Sequence, residues 1–535
     1  MTSFKFSPSR YKKIILPSLV IIALIIYTAK LCKFSWHELV QGLPKGGILL
    51  KMMVPPDWSA FSEMLKPALE TVVLAMIATV FGSVLSIFFG LAGAKNISNP
   101  IVRNITRFLI ALERSLPEIF IVLLLVAALG LGPFCGVVAL AIGCIGMLGK
   151  LLADAIEEID PKILESIEAT GANKLQLIKY GVIPQVTPAL ISNTIFRFEV
   201  NIRLSVLLGA VGAGGIGFEL SQAFNMLEYQ LASTAIIVIL ILVFLSERLS
   251  DFLRKKILGE GKNRMQNATV KAWTANNRFK HRLSIVIGVF TLISGLSIFL
   301  GFNPLLLITD FHYLISLLRE MIPDNLEILT RTTIYQSIAQ TISMAFLGTV
   351  FGGTIAIFLA FFAANNTSPS PALRIFIRTM LAFERVTPSM VIILVFIIAL
   401  GIGPFAGMLA LTLGTLGTFG KLFADAIENS EREPVEAIYS TGAHKLQAIR
   451  YGILPQVSPS FIANFFYAFD VNMRAAIFLG IFGGGGIGYE YYMVMKVLRY
   501  KDALALILFT IILIIILEKI SDFFRKKIIG VEKLK

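Results

Sequence analysis

A forty-residue passage stands twice in this chain. GKLLADAIEEIDPKILESIEATGANKLQLIKYGVIPQVTP begins at Gly149. GKLFADAIENSEREPVEAIYSTGAHKLQAIRYGILPQVSP begins at Gly420, 271 residues on, and 23 of the 40 aligned positions are identical. The same offset pairs Pro117 with Pro388, Arg203 with Arg474, Glu219 with Glu490 and Glu247 with Glu518. Near Pro100 and Pro371 one residue is inserted, and upstream an offset of 270 pairs Phe81-Gly82 with Phe351-Gly352. The halves close on RKKILG at 254 and RKKIIG at 525. The duplication covers nearly the whole chain, so a fold that suits one half must suit the other.

Within each copy the apolar residues gather into long runs. They cover roughly 14–31, 68–94, 106–130, 134–156, 187–208 and 230–249 in the first half. In the second they cover roughly 283–300, 338–364, 375–400, 405–427, 458–480 and 502–519. Most approach or exceed the about 20 residues that a helix needs to cross a bilayer. Lipid offers the backbone no hydrogen-bonding partner, so each run must be helical. Composition agrees: 56% of residues are apolar and 15% charged, against about 25% charged in soluble proteins. The expected fold is an all-α polytopic membrane protein, tandem duplicated, with about 12 transmembrane helices.

The net charge is +14. Lys and Arg collect between the apolar runs and not beside aromatic stacking platforms, which fits the positive-inside bias and excludes nucleic acid. The connector from Arg254 to Arg282 holds nine basic residues and one acid, which places it in the cytoplasm together with both termini. The run from Ile14 to Leu31 follows Lys5, Arg10, Lys12 and Lys13. It is longer than a signal-peptide core and no small-x-small cleavage site comes after it, so it reads as an uncleaved first span. Six spans per half make the repeats parallel, with halves at 1–258 and 283–535 joined by a basic linker at 259–282. Cys32, Cys135 and Cys144 lie in or beside apolar runs, and His37, His281, His312 and His444 are scattered, so neither set forms a metal site or a paired framework.

Between the fourth and fifth runs of each half lies a polar stretch, 157–184 and 428–455, on the cytoplasmic side by parity. Each reads as a short helix, a break at Gly171 or Gly442, and a second short amphipathic helix ended by Pro184 or Pro455. Spacing alone leaves two readings open, an amphipathic loop on the headgroups or a docking surface. The second is favoured by a resemblance. Glu165-Ser-Ile-x-x-x-Gly171 with Ile183-Pro184, and Glu436-Ala-Ile-x-x-x-Gly442 with Leu454-Pro455, resemble the coupling-helix signature of ABC importer permeases. The chain departs from it at Gly181 and Gly452, where Ile is usual. VPPDWS at 54, GLGPFCGVVAL at 130, LADAIEEIDP at 152, RFEVNIR at 197 and GAGGIGFEL at 212 resemble phosphonate-type permeases in particular.

That family usually supplies one half per chain and works as a homodimer; this chain looks like two subunits fused. The resemblance implies a MetI-like ABC permease fold in a bacterial inner membrane. Two cytoplasmic ABC ATPase subunits, which bind ATP and Mg, would dock on the elbows at Glu165, Gly171, Pro184, Glu436, Gly442 and Pro455. An extracytoplasmic solute-binding protein would deliver the ligand. No cofactor is expected in this chain itself.

VGAGGIG matches G-x-G-x-x-G through Gly212, Gly214 and Gly217, and FGGGGIG does so through Gly483, Gly485 and Gly488. Both follow a span on the external side and neither follows a strand, so they are not dinucleotide sites. They read as external loops, either facing the binding protein or serving as structural turns. GCIGMLGKL at 143 and GTLGTFGKL at 414 lack P-loop spacing, so ATP hydrolysis falls to a partner and the chain is not an enzyme.

Charges within spans are costly and point to function. Glu113-Arg114 precedes Pro117 and Glu384-Arg385 precedes Pro388; Glu199 with Arg203 and Asp470 with Arg474 are i,i+4 pairs that share a helix face. They either fix bundle geometry or line an anion pathway through Arg114, Arg203, Arg385 and Arg474. The competing class is an ion-coupled transporter that uses the acids as proton carriers. Against it, each acid has an arginine in reach to hold it ionised.

Overall fold

A computed structural model describes residues 8–266 and 291–532, apart from 292, 293, 304 and 325. Every regular element among the described residues is helical. In chain order they begin with α1 (Pro8–Leu31), α2 (Trp36–Met52), α3 (Phe61–Gly93), α4 (Pro100–Ser115), α5 (Glu118–Leu129) and α6 (Pro133–Glu157). The first elbow and the rest of its repeat are α7 (Pro161–Glu168), α8 (Lys174–Leu177), α9 (Ile183–Leu208), α10 (Ile216–Asn225) and α11 (Tyr229–Gln266). After α12 (Phe311–Glu320) the pattern repeats as α13 (Thr332–Ala363), α14 (Pro371–Val386), α15 (Ser389–Leu400) and α16 (Pro404–Glu428). It closes with α17 (Arg432–Tyr439), α18 (Lys445–Ala448), α19 (Leu454–Leu479), α20 (Gly486–Lys496) and α21 (Tyr500–Glu532).

The compact units do not coincide with the sequence halves. One unit is Met52–Glu320; the other joins Met1–Lys51 to Met321–Lys535. The opening helices of each repeat therefore belong to the core of the other. In the second unit, Cys32 is fully buried with Met344, Ala345 and Phe405, and the Phe34 ring lies 5.4 Å from Phe405 and 6.2 Å from Phe351. In the first unit, Phe302 lies 5.5 Å from Phe134 and 6.0 Å from Phe81, the repeat partners of those same rings. Of the basic linker expected at 259–282, residues 267–282 lie outside the described residues.

Each unit is built on two long helices, α3 with α6 and α13 with α16, that pack along one another. Small residues let them approach. A Cβ on Gly82 would lie 2.4 Å from that of Cys144, and one on Gly352 would lie 2.6 Å from the Thr412 carbonyl. Buried hydroxyls donate to their own preceding turn, as Thr79 does to Ala75 (2.6 Å) and Thr349 to Ala345 (2.7 Å), and so need no water. Asn201 of α9 ties both helices, donating to Thr79 Oγ1 (2.8 Å) and Cys144 Sγ (3.3 Å); Asn472 does the same to Thr349 (2.9 Å) and Thr415 (3.0 Å).

Two sequence expectations need correction. The third runs, 106–130 and 375–400, are not continuous spans. Leu116 and Thr387, each before a proline, are extended (φ −96°, ψ 111° and φ −72°, ψ 119°), because proline's ring crowds a helical residue in front of it. The axes of α14 and α15 meet at 89°. Helices α5 and α15 have 12 residues each, about 18 Å at 1.5 Å per residue, too short to cross the hydrocarbon alone. Second, Pro184 and Pro455 do not end the elbow helices. Both stand in the first turn of α9 or α19, and the chain runs into them through a wide π-helical turn at Ile178–Val182 or Ile449–Ile453. There the Ile183 N–H donates to Ile178 O and the Leu454 N–H to Ile449 O, five residues back. The widened turn makes room for a ring that would clash with the carbonyl four residues earlier.

Among the described residues seven helices are long and apolar enough to cross a membrane, and ten if three bent pairs each count once. Of the twelve runs expected, the two left over are the broken 106–130 and 283–300, whose residues 283–290 lie outside the described residues.

The α3–α6 seam should resist enlargement. Gly82→Val should lower thermal stability of the purified protein by about 1–3 kcal/mol. Gly47→Ala, at a glycine with nothing within 4 Å of its Cβ position, should leave it unchanged or slightly raised.

Candidate functional site

Each elbow is anchored where α6 or α16 ends. Glu157, the last residue of α6, accepts a hydrogen bond from the Lys95 N–H (2.5 Å) and pairs with Arg107 of α4. Arg107 Nε also donates to Gly93 O (2.9 Å), and Asn96 donates its amide to Ile156 O (2.7 Å). The other unit repeats every contact. Glu428 accepts from the Asn365 N–H (2.5 Å) and from Arg378 (2.6 Å). Arg378 Nε donates to Ala363 O (2.8 Å) and Asn366 to Ile427 O (2.7 Å). One carboxylate thus ties the loop after the first long helix, the amphipathic fourth helix and the root of the elbow. Glu157, Arg107 and Asn96 were missed in the sequence; the available signal was their recurrence as Glu428, Arg378 and Asn366.

Beyond this anchor the chain reverses at Gly171 and Gly442, with φ of +82° and +81°. A Cβ at either would meet nothing within 4 Å, so the left-handed backbone, not space, calls for glycine. Asn173 and Gln176 cap α8 reciprocally (2.9 Å each way), and His444 with Gln447 cap α18 in the same manner (3.0 and 3.3 Å). Helix α7 rests on the wide turn: a Cβ on Gly181 would come within 3.1 Å of Ile167 and 3.3 Å of Leu164. Gly452 meets Ile438 and Val435 at 3.2 Å in the same way. This close seat is the reason glycine stands where the resemblance expects isoleucine. Glu165 and Glu436 are exposed. So are four large apolar side chains, Leu175 (77%), Tyr180 (63%), Leu446 (72%) and Tyr451 (62%), an unusual density for so short a polar segment.

The glycine-rich loops are buried reversals. Gly212, Gly214, Gly483 and Gly485 have φ of +107°, +78°, +98° and +77°. A Cβ on Gly217 or Gly488 would fall within 2 Å of a backbone carbonyl, Val206 or Ile477. The next amides along the chain are held from within, Ile216 N–H by Thr71 Oγ1 and Ile487 N–H by Thr341 Oγ1, both at 2.9 Å.

The intramembrane charges form two separate sets in each unit. On α4, Glu113 faces Gly146 of α6, where an added Cβ would lie 1.4 Å from its Oε2; on α14, Glu384 accepts the Gly417 N–H (2.5 Å). Arg114 and Arg385 beside them are half-buried. On α9, Arg203 donates to Glu199 (3.1 Å), and Arg254 of α11 reaches the other oxygen (3.5 Å). Arg474 pairs with Asp470 on α19. A further pair, missed in the sequence, joins Arg197 to Glu118 at 3.5 Å. Its repeat positions are Ala468 and Ser389, so this pair exists in one unit alone.

Each repeat thus breaks its third apolar run before a proline and carries an exposed elbow at the matching position. A model of the family described as "Binding-protein-dependent transport system inner membrane component" matches residues 82–259 and again 352–529. The chain belongs to this family. It is a multi-pass inner-membrane permease with two family domains in tandem, and the ATPase of such importers is a separate subunit. It is 32% identical over 94% of its length to the phosphate-import permease protein PhnE of Mycolicibacterium smegmatis, covering 93% of that protein. Over 41% of the chain it is 37% identical to the phosphite transport system permease protein PtxC of Stutzerimonas stutzeri, covering 79% of that protein.

If the reversal at the elbows matters as the geometry implies, Gly171→Val with Gly442→Val should cost about 1–2 kcal/mol at each turn. Substrate-dependent ATP hydrolysis by the reconstituted complex should fall while the permease still inserts. Gly171→Asn with Gly442→Asn should retain most of it.

Proposed function

We propose that this permease forms the translocation path of an ATP-driven, binding-protein-dependent importer for phosphonate or a related phosphorus oxyanion such as phosphate or phosphite. The substrate class is carried by the 32% identity over 94% of the chain to a phosphate-import permease; a phosphite permease among the relatives supports it. In this proposal two cytoplasmic ABC ATPase subunits, holding ATP and Mg, dock on the elbows, which present Leu175 with Tyr180 and Leu446 with Tyr451. An extracytoplasmic solute-binding protein supplies the anion, and both termini and the basic linker lie in the cytoplasm.

Within the membrane, Arg114, Arg203, Arg385 and Arg474 lower the barrier for the anion, with Glu199 and Asp470 holding Arg203 and Arg474 in place. Guanidinium matches the tetrahedral oxygens through its planar fork and stays charged at any relevant pH. Weak contacts suffice, since selection belongs to the binding protein.

Uptake of labelled 2-aminoethylphosphonate, with and without the chain, tests the class. Uptake should need ATP, survive a protonophore while ATP stays high, and be competed by unlabelled methylphosphonate, phosphite or phosphate. Collapse with the protonophore alone would overturn it. Arg203→Gln with Arg474→Gln should cut uptake about tenfold or more and leave assembly with the ATPase intact; unchanged flux would remove these arginines from the pathway.

A further inference from the structure

A basic cavity of about 200 Å³ lies between α14 and α16. Its lining includes Arg378, Arg385, Lys421 and Asp425, with Leu381 and Ala424 among its apolar walls. Arg378 and Arg385 are seven apart on α14, and Lys421 and Asp425 four apart on α16, so each pair lies on one helix face. Three cations and one carboxylate line the cavity, with Arg378 paired to Glu428 and Arg385 engaged by a partner as well. Arg378 uses Nε on Ala363 O and one Nη on Glu428, which leaves further N–H groups of its five. Lys421 is exposed and makes no ion pair among the described residues.

The position of the cavity is informative. Lys421 stands seven residues before Glu428, where the elbow begins, so it lies about 10 Å along the helix from that root. On the outer side of α14, Ile375, Phe376 and Phe383 are exposed. A positive cavity with apolar walls, beside exposed apolar side chains and just inside the elbow, matches the headgroup level of the cytoplasmic leaflet. The set also recurs complete. Arg107, Arg114, Lys150 and Asp154 stand at the same offset in the first repeat, although the Glu118–Arg197 pair does not recur. Lys150 and Lys421 close the two glycine runs that resemble a P-loop without its spacing, and this gives those lysines a use.

We propose that Arg378 and Lys421, and in the other repeat Arg107 and Lys150, hold a phosphate-type oxyanion at the cytoplasmic face of the membrane. The oxyanion is presented by an anionic phospholipid headgroup or as the free ion. Binding is measured without transport, so the proposal stands or falls apart from the proposed substrate.

The test uses the full chain in phosphatidylcholine nanodiscs. One arm adds a minor fraction of phosphatidylglycerol and reads the lipid retained by native mass spectrometry. The other adds inorganic phosphate alone and reads phosphorus NMR line broadening. The variant is Lys150→Gln with Lys421→Gln, at two exposed residues; unchanged thermal unfolding verifies its fold. An about tenfold loss of phosphatidylglycerol retention, the expected effect of removing a charge-assisted contact, assigns the site to the headgroup. A similar loss confined to phosphate broadening assigns it to the free ion. Retention and broadening both equal to those of the unmodified chain would overturn the proposal.

Discussion

In each unit two long helices approach so closely that a methyl group would not fit between them at the tightest point. Gly82 against Cys144, and Gly352 against Thr412 and Thr415, set that distance. Lipid gives helices no hydrophobic reason to associate, so close van der Waals contact and interhelical hydrogen bonds must do it. The seam meets both needs, since Asn201 and Asn472 each bond across it to groups on both helices. Its cytoplasmic end then fixes the elbow. Glu157 and Glu428 close α6 and α16, and their carboxylates hold the facing loop and the amphipathic helix at once. A shift along the seam would move the root of the elbow by the same amount.

The elbow is stiff for a polar excursion. A glycine with positive φ turns it, a reciprocal cap starts its second helix, and a π-turn fuses that helix to the span behind it. A push on the outer surface of α8 or α18 is thus delivered along α9 or α19, which carry Asn201 and Asn472 into the seam. This continuity suits the docking role proposed for the elbow.

Fusion of two copies in one chain lets each change alone, as identical subunits cannot. Arg197 is 4% exposed, its Nε has no hydrogen-bond partner, and its contact with Glu118 is long at 3.5 Å. Burying such a pair is costly, and removing one member is worse, because it leaves an uncompensated charge. The other repeat lacks both, with Ala468 and Ser389. Coordinated loss is the physically tolerable change, and it makes the units chemically unequal near the break at Pro117 and Pro388.

Much of this was legible in one dimension. Apolar runs of bilayer length dictated helices, because lipid leaves backbone groups no alternative, and the repeated passage dictated two units with two elbows. The positive φ at Gly171 and Gly442 followed from glycine in a polar break, and the i,i+4 spacing brought Glu199 to Arg203. Tertiary structure alone decided that Pro184 and Pro455 start a helix instead of ending one, because only the π-turn before them removes the clash. It also decided which core each opening helix joins. Phe34 serves Phe351 and Phe405 while Phe302 serves Phe81 and Phe134, and hydropathy, equal for both repeats, cannot state a preference that shape-matched packing makes.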